Sequence, residues 1–571
     1  MYNVIFKVEG GEDVTVFAVG GENVLELARS SGIFIDAPCS GNGTCGKCRV
    51  TILEHNGETH QYNWQPLACQ AVINYDSEIT VPDIIHDYIK SITTEVFIKQ
   101  GTQVGQGDAF GLAIDVGTTT VSALLVEISG TGDLYAKATT GNAQIRYGAD
   151  VINRIIEQQK PGGVQKLQDA IVKDTLIPLI DSLCGATGVK HKQIKRLTVA
   201  ANTTMNHLLL GVDANSIRLE PYEPEFLEFP LYDPASIGIQ VAPEAKMLIA
   251  PNIGSYVGGD ITAGVLGTGA ATGWQMWPAS GEILLTEPVT IDGIVYEPYP
   301  AKMTLLIDLG TNGEIVLSNR EFMMACACSA GPAFEGGDIS CGMRATVGAI
   351  EAFRIDGKSM EPVLTVIGGS KPAGLCGSGI IDVVAELFRA GLINGKGKFN
   401  NKSERVLFDE YGIGSYVLAF ASDSITGKDI TITEVDIDNF IRAKGAIFSG
   451  IISLLSPLGL SPADIDNVFI AGGIGSGINI YSAISIGMLP DLPGEKYRYL
   501  GNTALNGAYS LLLLMYIEQA LEEISDIARN MTYIDLSTQP GYMDEFIAAC
   551  FLPHTDESLF PSSIKEDQVY G

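Results

Sequence analysis

The sequence predicts a two-part α/β chain: a small cysteine-bearing unit of hairpin, helix and strands, then a much larger α/β unit with an internal duplication. Three observations carry this expectation. The stretch "APCSGNGTCGKCRV" at 37–50 puts three cysteines within ten positions, behind a run of alternating apolar residues. The stretches "GLAIDVGTTTVSALLVEI" at 111–128 and "TLLIDLGTNGEIVLS" at 304–318 repeat one strand–turn–strand pattern about 190 residues apart. A chain of 571 residues also exceeds what one hydrophobic core supports.

The small unit is read over residues 1–87. "NVIFKV" and "VTVFAV" alternate apolar and polar residues on either side of "EGGED", the pattern of a hairpin. "ENVLELARSSG" sets Val24, Leu25, Leu27 and Ala28 at helical spacing and stops at Gly32. After the cysteine loop come a strand in "CRVTILEH", the cysteine Cys69 in "LACQAVI" and a last strand near "EITVP". That order is the order of a β-grasp ferredoxin. Residues 88–110 read as a polar linker ending in glycines.

Four thiolates, Cys39, Cys45, Cys48 and Cys69, then have the arrangement of an iron–sulfur site, three from one loop and one from a distant segment. Gly41, Gly43 and Gly46 let the loop wrap a cluster and aim N–H groups at its sulfides without a Cβ clash. Zinc is the alternative metal, but structural zinc sites favour two Cys-x₂₋₄-Cys pairs, and here one pair is joined by two single cysteines. The spacing Cys-x₅-Cys-x₂-Cys differs by one residue from the plant-type 2Fe–2S loop and is closer to that of adrenodoxin-like ferredoxins.

Composition narrows the partners. The formal charge is −31, from 36 basic and 67 acidic side chains, which argues against nucleic acid or an anionic membrane as a partner. The N-terminus lacks a basic segment followed by an apolar run, and the most apolar stretch, "SLLLLMY" at 510–516, is far shorter than the ~20 residues of a membrane helix. A cytoplasmic protein is expected. Its ten cysteines then serve metal, redox chemistry or packing rather than disulfides.

The large unit is read over 111–552, in halves 111–300 and 301–552, with an irregular insertion at about 214–300 and a loop tail at 553–571. In an Asp-x-Gly-Thr turn the glycine lets backbone N–H groups and threonine hydroxyls approach a phosphate, while the aspartate points at the phosphate-bound Mg²⁺. Two such turns are present, Asp115-Gly117-Thr118-Thr119-Thr120 and Asp308-Gly310-Thr311-Asn312. Asn202, in "ANTTMNHLLLG", is a further polar candidate. Gly472, Gly473 and Gly475, in "NVFIAGGIGSGINI", allow close approach of a nucleotide's sugar and base at an expected helix start. The three elements in this order resemble the duplicated, RNase H-like ASKHA fold of actin, Hsp70 and acetate and sugar kinases. No Walker loop accompanies them.

"CSAGPAFEGGDISCGMRA" adds Glu335 as a candidate base or Mg²⁺-shell residue, and "GLCGSGIID" is a glycine turn before a helix. Cys326, Cys328, Cys341 and Cys376 read as small buried hydrophobes rather than a second metal site. His207 reads as a packing and hydrogen-bonding residue.

Taken together, the cysteine loop, "AIDVGTTT", "ANTTMNHLLLG", "IDLGTNGEI", "SAGPAFEGG", "CGSGIID" and "IAGGIGSGINI" resemble the reductive activators of corrinoid proteins over nearly the whole chain. The resemblance implies a 2Fe–2S cluster on the four cysteines, and ATP with Mg²⁺ at the glycine turns. It also implies one-electron reduction of a partner's Co(II) corrinoid to Co(I), an upstream low-potential electron donor and a homodimer. The middle domain of some activators is expected to be absent, since only about twenty residues stand between the two parts. A small-molecule kinase or ATP-dependent hydrolase of the ASKHA type, with an accessory cluster, is the competing reading. An activator of a radical dehydratase is disfavoured by the N-terminal unit.

Overall fold

The computed structural model describes the chain except residues 9–12, 32, 34, 36–47, 56–60, 82–94, 100–103, 106, 131, 149, 273–275, 278–288, 292–293, 297–301, 311, 358, 360, 401–402, 474–476 and 567–571. The N-terminal unit is a five-stranded sheet in the order Val14–Ala18, Tyr2–Val8, Asp76–Val81, Thr51–His55, Gln61–Trp64. The first two strands pair antiparallel, while Asp76–Val81 lies parallel to Tyr2–Val8 and antiparallel to Thr51–His55. This is the β-grasp arrangement expected of a ferredoxin. Helix Val24–Ser30 buries Val24, Leu25, Leu27 and Ala28 in a core with Val4, Phe6, Ile52 and Ile79. Asn23 caps it, its Oδ1 accepting from the N–H groups of Leu25 and Glu26 at 3.0 and 3.2 Å.

Two six-stranded sheets follow the same plan. The first runs Lys246–Ile249, Ile194–Ala201, Phe110–Val116, Thr120–Glu127, Leu134–Gly141, Glu95–Ile98. The second runs Tyr497–Gly501, Asn467–Ala471, Thr304–Leu309, Gly313–Ser318, Met323–Cys328, Met531–Tyr533. In each, an antiparallel meander of three strands is extended from its first strand by two parallel strands. That is the duplicated RNase H-like plan. The copies differ at the sixth strand, which is antiparallel to its neighbour in the first sheet and parallel in the second.

The structure departs from the sequence reading in five places. Within 88–110, expected to be linker, Glu95–Ile98 pairs with Leu134–Gly141 as a sheet edge. Within 214–300, expected to be irregular, Lys246–Ile249 is a strand and Gly259–Thr272 a 14-residue helix. Four glycines hid that helix, and one of them, Gly267, explains itself by packing against Gly507. A Cβ on Gly267 would lie 2.8 Å from the Gly507 nitrogen and one on Gly507 2.5 Å from the Ala263 carbonyl carbon, so this helix meets helix Thr503–Leu513 backbone to backbone. Over its described residues, 553–566, the tail is packed rather than loop, with Phe560 fully buried on Phe448 and a helix at Pro561–Glu566. Among the described residues the α-helix after Gly472 begins at Ile480, capped by Asn479.

Fifth, the compact units do not follow the expected halves. One comprises 1–260 with 511–521, the other 261–510 with 522–571. The chain passes between them inside the helices Gly259–Thr272, Thr503–Leu513 and Ile517–Asn530. Among the described residues one helix, Glu434–Leu455, is long and apolar enough to cross a membrane, and most of it lies in the core of the second unit. It carries Lys444, whose Nζ donates to the carbonyls of Phe551, Pro553 and Gly487.

Candidate functional site

In the N-terminal unit the Sγ atoms of Cys48 and Cys69 lie 3.4 Å apart. A disulfide would hold them at ~2.05 Å. Two thiolates at ~2.3 Å from one tetrahedral metal lie about 3.8 Å apart; the two thiols stand a few tenths of an ångström closer, at hydrogen-bonding separation, and already next to each other. Backbone bonds hold the two segments in place. The Ala68 N–H donates to the Cys48 carbonyl at 2.7 Å, and Asn23 Nδ2 donates to the Cys69 carbonyl at 2.9 Å. The residue that caps the helix therefore also fixes the fourth cysteine. Cys39 and Cys45 lie outside the described residues.

Asp115 is the next-to-last residue of the first strand of the first meander, and Asp308 holds the same place in the second. Each is the single partly exposed residue of a strand whose other positions are all buried. A carboxylate there is held by a rigid strand yet reaches solvent. Beyond Asp115, the Gly117 N–H donates to the Thr120 carbonyl at 3.0 Å, closing the turn. A Cβ on Gly117 would lie 2.6 Å from that same oxygen, so only glycine fits. Asn202 caps helix Thr203–Leu210, its Oδ1 accepting from the Met205 N–H at 2.9 Å, and its Nδ2 donates to Thr118 Oγ1 at 3.1 Å. The structure thus joins Asn202 to the Asp115 turn.

In the second unit the Gly310 N–H donates to the Asn312 carbonyl at 3.0 Å. Gly472, at φ +90°, follows strand Asn467–Ala471, which runs parallel to Thr304–Leu309. A Cβ on Gly472 would fall on the Leu309 carbonyl and 2.6 Å from Asp308 Oδ1. The third glycine element therefore sits directly against the second aspartate. Gly473 is exposed, with nothing among the described residues within 4 Å of where its Cβ would be. Thr311 and Gly475 lie outside the described residues. Glu335 ends the short turn Pro332–Glu335, and its side chain lies outside the described ones.

Two residues that no motif marks also reach the first turn: Asn142 and Arg154, both fully buried. Their signal is absent from the sequence because they act from after the third strand and from a separate helix, Val151–Gln158. His207 is structural. Its Nε2 accepts from the Glu225 N–H at 3.2 Å, so Nδ1 carries the proton it gives to the Thr203 carbonyl at 2.8 Å, and burial holds the imidazole below its ordinary pKa. Cys326, Cys328 and Cys376 are buried against backbone carbonyls, and burial pushes the Cys341 thiol up to about 12. These four behave as small hydrophobes. Among the described residues no group of three or more His, Cys, Asp or Glu could hold a metal.

Residues 7–74 match the 2Fe-2S iron-sulfur cluster binding domain, 110–272 the RACo middle region, and 302–564 the C-terminal domain of RACo, the ASKHA domain. The corrinoid activation enzyme RamQ of Eubacterium limosum is 32% identical over 447 residues, covering 77% of this chain and 69% of RamQ. The chain belongs to the reductive activators of corrinoid proteins. A solved activator, described as a reductive activator for corrinoid, iron-sulfur protein, matches this one with a TM-score of 0.67 and 36% identity over 98% of this chain and all of its own. The [Co(II) methylated amine-specific corrinoid protein] reductase of Methanosarcina barkeri is 28% identical over 256 residues, 41% of this chain and 42% of its own. As an activator, the chain joins a 2Fe–2S ferredoxin domain to an ASKHA domain. The expected absence of a middle segment is corrected: in this activator the middle region is 110–272, folded around the first six-stranded sheet.

Proposed function

We propose that this chain reductively activates a partner corrinoid protein, delivering one electron to its Co(II) and restoring Co(I) for methyl transfer, with ATP binding and hydrolysis driving the step. The observation that carries the reading is one chain holding both the adjacent cysteines Cys48 and Cys69 in a ferredoxin-type fold and two aspartate–glycine turns on matching sheets. An ASKHA kinase needs the second and not the first.

Cys39, Cys45, Cys48 and Cys69 would hold the 2Fe–2S cluster, which supplies a one-electron carrier when bound. Asp115 and Asp308, each next to last in its strand, would serve the Mg²⁺ that accompanies ATP. Gly117, Thr118, Thr119, Thr120 and Asn202, with Gly310, Thr311 and Asn312, take the phosphates. Gly472, Gly473 and Gly475 would leave room for the sugar and base, and Glu335 would serve as a base or in the Mg²⁺ shell. Each ~59 mV of uphill transfer costs a factor of ten in the one-electron equilibrium, so a nucleotide-dependent change in the acceptor's affinity gives the ATPase its purpose. The domains run 1–87 and 111–552. A cytoplasmic homodimer fed by a low-potential donor completes the reading.

ATP turnover measured with and without a Co(II)-loaded corrinoid protein tests it. Turnover that rises with the partner is expected; steady turnover indifferent to partner and cluster redox state would favour the kinase or hydrolase.

A further inference from the structure

Three successive carbonyls of the first turn end on the two unmarked residues. Asn142 donates from Nδ2 to the Gly117 carbonyl at 2.9 Å and from its backbone N–H to the Thr119 carbonyl at 2.8 Å. Arg154 donates from Nη2 to the Thr118 carbonyl between them. The two side chains lie side by side, Nδ2 at 3.7 Å and Nη1 at 3.4 Å from Met205 Sδ. Arg154 is itself fixed, Nε donating to the Gly148 carbonyl at 2.9 Å and Nη1 to Gln144 Oε1 at 3.1 Å.

Peptide units are planar and trans, so each N–H points opposite to the carbonyl of its own unit. The carbonyls of residues 117, 118 and 119 share their units with the N–H groups of Thr118, Thr119 and Thr120. With all three carbonyls drawn onto Asn142 and Arg154, these N–H groups turn toward the opposite face. Successive N–H groups turned to one side form an anion-binding concavity. The guanidinium suits this task because its fork meets separate acceptors at fixed angles, which a lysine's point charge does not.

We propose that Arg154, together with Asn142, is a positioning residue for phosphate binding: it aims the turn's N–H groups at the phosphates without touching the nucleotide. This rests on the ATP-binding reading above and adds the device that gives the site its preference for phosphate.

The test uses the full, cluster-loaded chain and its Arg154→Lys, Arg154→Met and Asn142→Ala variants, titrated with Mg-ATP, Mg-ADP and adenosine. ATP and ADP affinity is expected to fall roughly tenfold or more, the effect of losing one hydrogen bond to a buried carbonyl, with adenosine affinity nearly unchanged. Equal losses for ATP and adenosine would mean a merely structural role and overturn the proposal. So would unchanged ATP affinity in variants whose thermal transition matches the parent. A parent chain that binds neither ATP nor ADP would instead overturn the nucleotide reading, and this inference with it. If Arg154→Met fails to fold, the lysine and Asn142→Ala variants decide.

Discussion

Gly473→Ala separates fold from function at the third glycine turn. Among the described residues a methyl there meets nothing within 4 Å, and the backbone is not in the left-handed region, so the described fold accommodates it. Glycine-to-alanine changes at such positions stabilise by about 0.4–1 kcal/mol through the unfolded chain. The thermal transition should therefore stay in place or rise by up to roughly 4 °C. If the space is the nucleotide's, the methyl overlaps the ligand at a cost of about 1–3 kcal/mol, which is roughly a 5- to 150-fold loss of ATP affinity. Gly472→Ala is the counterpart. At φ +90° an alanine costs about 1–2 kcal/mol, and its Cβ would fall on the Leu309 carbonyl of a central strand that has no room to move, adding about 1–3 kcal/mol. That variant should lose roughly 3–8 °C. Calorimetry and ATP titration on both variants check the pair. Unchanged ATP affinity in Gly473→Ala, or an unchanged transition in Gly472→Ala, would refute the reasoning.

Cys69→Ser should abolish the visible absorption of the reconstituted cluster while leaving Mg-ATP affinity within twofold, as measured by anaerobic titration. His207 is neutral when folded, because burial holds its imidazole below the ordinary histidine value of about 6.5. Its contribution to stability should be fully present above about pH 6.5. That stability should fall as pH drops through the lower folded value, because the unfolded chain then binds the extra proton. Thermal melts from pH 5 to 8 should show this slope, and His207→Gln should flatten it. Lys444→Met leaves the Phe551, Pro553 and Gly487 carbonyls without that donor and should destabilise the second unit by roughly 2–5 kcal/mol; urea unfolding reads it directly.

What the sequence made legible was local. Each Asp-x-Gly-Thr turn sits between strands whose apolar runs name them, and the repeated pattern at 111–128 and 304–318 implied the matching sheets. The cysteine spacing announced a metal because so few other uses need three cysteines in one loop. What stayed hidden was long-range. Lys246–Ile249 is four residues long and becomes a strand only by pairing with Ile194–Ala201. Helix Gly259–Thr272 trades helix propensity for close backbone contact, so its glycines read as loop. Asn142 and Arg154 reach the Asp115 turn from 25 and 36 residues beyond the carbonyls they hold, without a motif. Phe560 looks like part of a polar tail until Phe448 covers it.

The most direct test of the central claim follows cobalt. The anaerobic, chemically reduced protein is mixed with a Co(II)-loaded corrinoid protein, and the Co(I) absorption band is followed with and without Mg-ATP. The account predicts a band that forms only with ATP, is lost in Cys48→Ser, and needs higher ATP concentrations in Gly473→Ala. A band that forms equally without ATP, or none with any corrinoid partner while ATP turnover continues, would contradict it.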